Sequence, residues 1–216
     1  MRILGRAALI GAAAIAMGAL PAAAQQVTFT TIGSFSGPGC SAFVTPTPNT
    51  CVQAGGWQIT YLNGSGNVTA PTGIDLGQFS VQCTLASCAA SPIAAGTTFN
   101  LMISQTNPTA GNGSFNGTLQ GSIAFNPDQS TLTWITSAGA LTIGGTTYTL
   151  VTDNFSACTG ISNCINIASP NSGTNPANPN TTTVKGFVVT PEPSTIALMA
   201  TGIFGLVPVA IRRRRR

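Results

Sequence analysis

Apolar and polar residues alternate with a period of two through much of the middle of the chain. Trp57, Ile59 and Tyr61 fall on one side, with Gln58 and Thr60 on the other. Phe99, Leu101 and Ile103 repeat the pattern. Phe115, Leu119, Ile123 and Phe125 extend it over odd positions that also carry Gly117 and Gly121. Successive side chains of a strand point to opposite faces, so the pattern predicts half-buried strands; no window shows the 3.6-residue period of an amphipathic helix. Further strands are expected over 26–35, 130–136, 140–143, 146–151 and 183–190. In 74–83 the apolar positions run Ile74 and Leu76, then Phe79, Val81 and Cys83. Even becomes odd across Gly77-Gln78, which predicts a bulge or a strand crossing between sheets. Gly144-Gly145 reads as a two-residue hairpin turn, and Pro127-Asp128 as a tight turn after Phe125.

About eight or nine strands with polar connections predict an all-β domain, an antiparallel β-sandwich of jelly-roll-like type, with a closed barrel as the alternative. The segment 169–180, with Pro170, Pro176 and Pro179, reads as a surface loop before the last strand or as the start of a stalk. No internal repeat is present.

The two ends follow a different pattern. Arg2 and Arg6 precede an apolar run over 7–20, Pro21 breaks it, and Ala22-Ala23-Ala24 supplies small residues. This is the layout of a secretory signal peptide over 1–24, cleaved after Ala24, an uncleaved anchor being the alternative. At the other end, 194–211 is a stretch of 18 residues without an ionisable side chain. As a helix rising about 1.5 Å per residue it reaches about 27 Å, close to the thickness of a hydrocarbon core. It is the expected single C-terminal transmembrane helix. Arg212, Arg213, Arg214, Arg215 and Arg216 follow it, and cationic flanks stay on the cytoplasmic side and stop transfer. Residues 25–190 are then the exported domain, tethered to the inner membrane.

Immediately before the apolar stretch stand Pro191, Glu192 and Pro193. Pro-Glu-Pro, an apolar helix and an Arg cluster, in that order, closely resemble the PEP-CTERM sorting signal of Gram-negative bacteria over 191–216. The resemblance implies recognition by an exosortase, a membrane-embedded transpeptidase-like enzyme, with cleavage near Pro191-Glu192-Pro193 and removal of the tail. It also implies a cell-surface or extracellular-matrix protein with a structural or adhesive role linked to exopolysaccharide and biofilm. The prolines keep the backbone extended and out of helix, which leaves Glu192 as a recognition handle at the membrane edge.

Charge is scarce: eight Lys and Arg, four Asp and Glu, and no His in 216 residues. All the basic residues except Lys185 lie at the two ends, so the net charge of +4 describes no basic face and nucleic acid is not an expected partner. A nearly neutral domain lacks repulsion between copies, which makes self-association physically easy. Six cysteines fall in sequential pairs, Cys40 and Cys51, Cys83 and Cys88, Cys158 and Cys164. In an exported domain they are disulfide candidates, local pairing being preferred although the sequence leaves connectivity open. Zinc is disfavoured without His or a Cys-x-x-Cys pair.

Without His there is no Ser-His-Asp or Cys-His machinery. Paired carboxylates of glycosidase type have only Asp75, Asp128 and Asp153 to draw on; Asp128 and Asp153 look like turn residues, and no loop has calcium-binding spacing. Gly111-x-Gly113-x-x-x-Gly117 lacks nucleotide-loop spacing and reads as a turn. Trp57, Tyr61 and Trp134 are expected in the core, with a sugar-stacking platform as the alternative. The expectation is therefore a non-enzyme with no catalytic, cofactor or metal residues; a lectin-like carbohydrate-binding module is the alternative and a hydrolase the remote one.

Overall fold

The computed structural model describes residues 24–40, 50–125, 130–152, 158–168 and 180–191. Among them are fourteen strands: β1 (Gln25–Ser36), β2 (Thr50–Gln53), β3 (Trp57–Asn63), β4 (Ser65–Ala70), β5 (Thr72–Cys83), β6 (Ser91–Pro92), β7 (Thr98–Asn107), β8 (Gly111–Gln120), β9 (Ser122–Ile123), β10 (Thr133–Thr136), β11 (Ala140–Ile143), β12 (Thr146–Leu150), β13 (Cys164–Asn166) and β14 (Asn180–Val189). One six-stranded sheet has the order β13-β10-β8-β7-β1-β4 and a second has β11-β12-β14-β5-β3-β2; β6 and β9 form a separate pair. The described residues are nearly all β and their ladders are antiparallel. Most of the expected period-two strands thus form, and among the described residues the two large sheets are separate ladders, with Gly39 and Cys40 bonded along β2 at the edge of the second.

The two sheets share one core. Phe35 and Phe99 of the first sheet meet Tyr61 and Phe79 of the second, and Trp134 closes the group. Phe99 is central, with ring centroids 4.8 Å from Phe35, 4.8 Å from Tyr61, 4.7 Å from Phe79 and 5.1 Å from Trp134. Each ring buries a large apolar area, and tilted or edge-on pairs add a small directional gain.

Two buried polar knots tie the sheets together. Tyr61 donates its hydroxyl to the Leu76 carbonyl at 2.8 Å, and Thr31 of the opposite sheet donates to the same oxygen. This carbonyl lies at the phase slip read in the sequence. Leu76 and Gly77 are both buried, and the register with β14 shifts between Val184 and Lys185. The slip is therefore a bulge within one sheet, not a crossing. The second knot joins two hairpins: Tyr148 donates to Gln105 Oε1 at 2.6 Å, and Gln105 Nε2 donates to the Thr109 carbonyl at 2.7 Å and the Ile143 carbonyl at 3.3 Å.

Burial pushes the Tyr148 phenol up from 10.0 to about 12. Burial drives Tyr61 further the same way, against a smaller opposing effect of its hydrogen bond with Thr31. Below about pH 10 both phenols are protonated in the folded and unfolded chain alike. Above it the unfolded chain loses protons that the folded chain keeps, so stability falls as pH rises through 10 towards 12. Thermal melts at pH 7 and pH 11 should show this loss, and Tyr148→Phe should lower the melting temperature at pH 7 while shrinking the difference between the two. An undiminished alkaline loss in Tyr148→Phe would remove Tyr148 as its source.

Two sequence expectations need correction. The odd-position run from Phe115 to Phe125 is not one strand. It breaks at Gly121, whose φ of +97° is open to glycine and costly for other residues. The chain then restarts as β9, which pairs with β6. Gly111 to Gly117 is not a turn but most of β8. Its glycines allow close approach: a Cβ on Gly113 would stand 2.6 Å from Leu141 Cδ1. The hairpin at Gly144-Gly145 forms as expected, pairing Ile143 with Thr146. The loop or stalk of 169–180 lies outside the described residues as far as 179, as does the Pro127-Asp128 turn.

The folded unit spans Gln26–Val189, and its entry and exit flank the same corner. Thr28 hydrogen-bonds Asn67 while the Thr31 amide reaches the Gly64 carbonyl, so β4 runs opposite to β1 and ends, at Ala70, beside the first residues of β1. After Pro71 the chain enters β5 in the other sheet, where Thr72 stands across from Val188. The opposite end of β5 carries Cys83.

Candidate functional site

The strongest chemistry read from the sequence follows β14. This strand alternates Val184, Gly186 and Val188 into the core with Lys185, Phe187 and Val189 outward. It lies between β12 and β5, and its last residue still pairs, Val189 with Thr147. After one half-buried residue, Thr190, comes exposed Pro191 without regular structure. Proline cannot donate to a ladder, so the strand ends here and the motif starts with almost no spacer. Glu192, Pro193, the stretch 194–211 and Arg212 to Arg216 lie outside the described residues, as does the signal peptide up to residue 23. No helix among the described residues is long and apolar enough to cross a membrane.

All six cysteines are joined in disulfides: Cys40 to Cys51, Cys83 to Cys88 and Cys158 to Cys164. The first also bridges backbone to backbone. These loops are short, with sequence separations of 11, 5 and 6, and each bond stabilises by about 2–3 kcal/mol where unstrained. They therefore act as staples on turns.

Of the three residues weighed for catalysis, only Asp75 is among the described residues. Asp75 is exposed on the outer face of β5, directly across from Lys185 of β14. An exposed pair of this kind contributes little to stability. Asp128 and Asp153 lie outside the described residues. Among the described residues no group of three His, Cys, Asp or Glu is placed to hold a metal ion.

The sugar-stacking platform of Trp57, Tyr61 and Trp134 does not exist as a surface. All three are buried to within 1 % exposure, and Trp57 donates its indole N–H to the Ala89 carbonyl at 2.7 Å. The outer face of the first sheet instead carries small polar side chains. Asn100 stands across from Asn116 and hydrogen-bonds it, and Asn116 reaches the Ser114 hydroxyl at 3.3 Å. Beside them is an open groove of about 510 Å³ lined by Thr98, Asn100, Asn116, Thr118, Ile135 and Ser137. No single residue type marks this groove in the sequence. It arises where β7 and β8 place Thr98, Asn100, Asn116 and Thr118 beside Ile135 of β10, with Phe99 and Gly117 also lining it, so polar groups rim a largely apolar floor.

Compared with known proteins, the chain matches the family model of the PEP-CTERM protein-sorting motif over residues 189–215. No curated protein and no solved structure matches the chain. The match begins on the last residue of β14 and covers the Pro-Glu-Pro, the apolar stretch and most of the arginines. The chain therefore carries the PEP-CTERM protein-sorting motif, the mark of an exported protein targeted to exosortase.

Proposed function

We propose that this chain is a non-catalytic surface or matrix protein with a structural or adhesive role linked to exopolysaccharide. In this reading 1–24 directs export, 194–211 holds the precursor in the inner membrane, and an exosortase cuts near Pro191-Glu192-Pro193. The protein then passes to the cell surface or matrix as a disulfide-stapled β-sandwich. The observation that carries the reading is the sorting motif, matched over 189–215 and starting where β14 leaves the sheet. Supporting it are outer faces built from Thr, Ser, Asn and Gln with few charges, which stay wetted yet do not repel a second copy or a neutral polymer.

Fractionation of the producing cells tests this. Protein lacking both 1–24 and the Arg cluster should appear in surface or exopolysaccharide fractions. Protein found only in the cytoplasm with its N-terminus intact would overturn the reading.

A second reading, a lectin-like module for neutral glycans, is favoured by the uncharged groove between β7, β8 and β10. The amides of Asn100 and Asn116 and the hydroxyls of Thr98, Thr118 and Ser137 can meet sugar hydroxyls, and the apolar remainder, with Ile135, a sugar's C–H face. Retention on the producer's own polymer that is lost in Asn116→Ala separates it from a purely structural role.

A further inference from the structure

We propose that the outward face at the C-terminal end of β14, with Val151 beside it, is a lipid-contact patch that rests on the membrane surface while the sorting tail is in place. It depends on reading 194–211 as the apolar anchor. Along this one strand the outward positions change character towards the tail. Thr181 and Thr183 stand across from Ser80 and Gln78 of β5, then come Lys185, Phe187 and Val189. Phe187 is 43 % exposed, Val189 40 % and Val151 48 %.

Phe187 and Val189 stand two residues apart on the same face of β14, and Val151 lies across from Lys185 on the margin away from the tail. The Val151 amide bonds the Lys185 carbonyl, and Phe187 pairs with Thr149 on one side and Gly73 on the other. Gly73 has no side chain to cover the ring, and a Cβ placed there would meet nothing closer than 4.0 Å. The other large exposed apolar residues among those described lie elsewhere: Val52 on β2, Leu62 on β3, and Leu85 and Ile161 in connections between strands.

Chain length supplies the occupant. Only 190–193 separate Val189 from the start of the apolar stretch, so even fully extended the backbone spans about 17 Å from Val189 to Ser194. A headgroup layer is about 5–8 Å deep, which puts the patch within reach of lipid whenever the anchor is inserted. An exposed aromatic ring with aliphatic neighbours gains by leaving water for the interface, and Lys185 on the margin faces phosphate groups, with Asp75 across the ladder from it.

The test uses the full-length precursor, purified from a host without exosortase and placed in nanodiscs of plain or brominated phosphatidylcholine. The native Trp57 and Trp134 are buried and give the background emission. In Phe187→Trp and in Val189→Trp the added emission should shift to the blue and be lost with brominated lipid, while Leu85→Trp stays unquenched. If Phe187→Trp is unquenched while Phe204→Trp in the tail is quenched, the anchor stands and the patch proposal fails. If neither is quenched, the anchor reading fails and the proposal with it. Equal quenching of Leu85→Trp would mean undirected adsorption, and shielding of position 187 only after exosortase is added would assign the patch to a protein partner; either overturns the proposal.

Discussion

Phe99→Ala is expected to destabilise the folded domain by about 3–5 kcal/mol. The residue is 1 % exposed and its ring lies within 5.1 Å, centroid to centroid, of four others contributed by both sheets. Removing it takes a large apolar area out of burial. It also leaves a cavity whose walls are rigid rings hung on separate strands and cannot collapse inward. Domains of this size are typically stable by only about 5–15 kcal/mol, so the loss is a large share of the total. Urea denaturation with disulfides intact should show a midpoint shifted far down at an unchanged slope. By contrast Asp75→Asn, on the exposed face, should stay within about 0.5 kcal/mol of the parent. A Phe99→Ala midpoint as close to the parent as that would contradict a single core shared by both sheets.

The second large effect concerns location. A chain ending at Thr190 keeps every strand of the sheets but lacks the sorting motif. It should fold, form its three disulfides and pass from the membrane-associated fraction to the soluble exported fraction almost completely. The reason is energetic: an 18-residue apolar stretch holds a chain in lipid far more firmly than a few exposed side chains can. Replacing Glu192 by Ala keeps that stretch and removes only the carboxylate, so the precursor should stay membrane-bound and accumulate uncut. The two variants thus separate anchoring from recognition. Immunoblots of membrane and soluble fractions with and without exosortase read both results.

Which parts of the fold were legible depended on what each strand puts against the core. β3, β7 and the second half of β5 present Trp57, Ile59, Tyr61, Phe99, Leu101, Ile103, Phe79 and Val81 inward, so their alternation is plain. The bulge was legible because it shifts the phase of large residues. β4 was not, because its inward positions are Gly66, Val68 and Ala70, and a Cβ on Gly66 would lie 2.7 Å from the Phe29 ring. A strand whose job is to leave room for a neighbour's ring has no apolar period. β2 escaped for another reason: its inward Gln53 is polar and is satisfied by taking the Ala94 amide at 2.9 Å. β13, three residues long and tied to β10, is too short to show a period at all.

The candidate site divides the same way. The sorting motif is a local string of residues and is readable from sequence alone, whereas the groove over Asn100 and Asn116 and the apolar patch at Phe187 need register across strands. The sequence predicted a strand over 183–190, but not that Phe187 stands between Gly73 and Thr149 or that Val151 lies across from Lys185. The core placement of Trp57, Tyr61 and Trp134 was favoured by alternation and is seen in the structure.

Intact-mass measurement of protein taken from the producing organism, compared with the same strain lacking exosortase, tests the central claim most directly. The producer should yield a chain that begins near Gln25, ends near Pro191–Pro193 and is six hydrogens lighter than its reduced form, as three disulfides require. The deletion strain should yield one still carrying Arg212 to Arg216. An identical mass from both strains, with the five arginines present in each, would contradict the account.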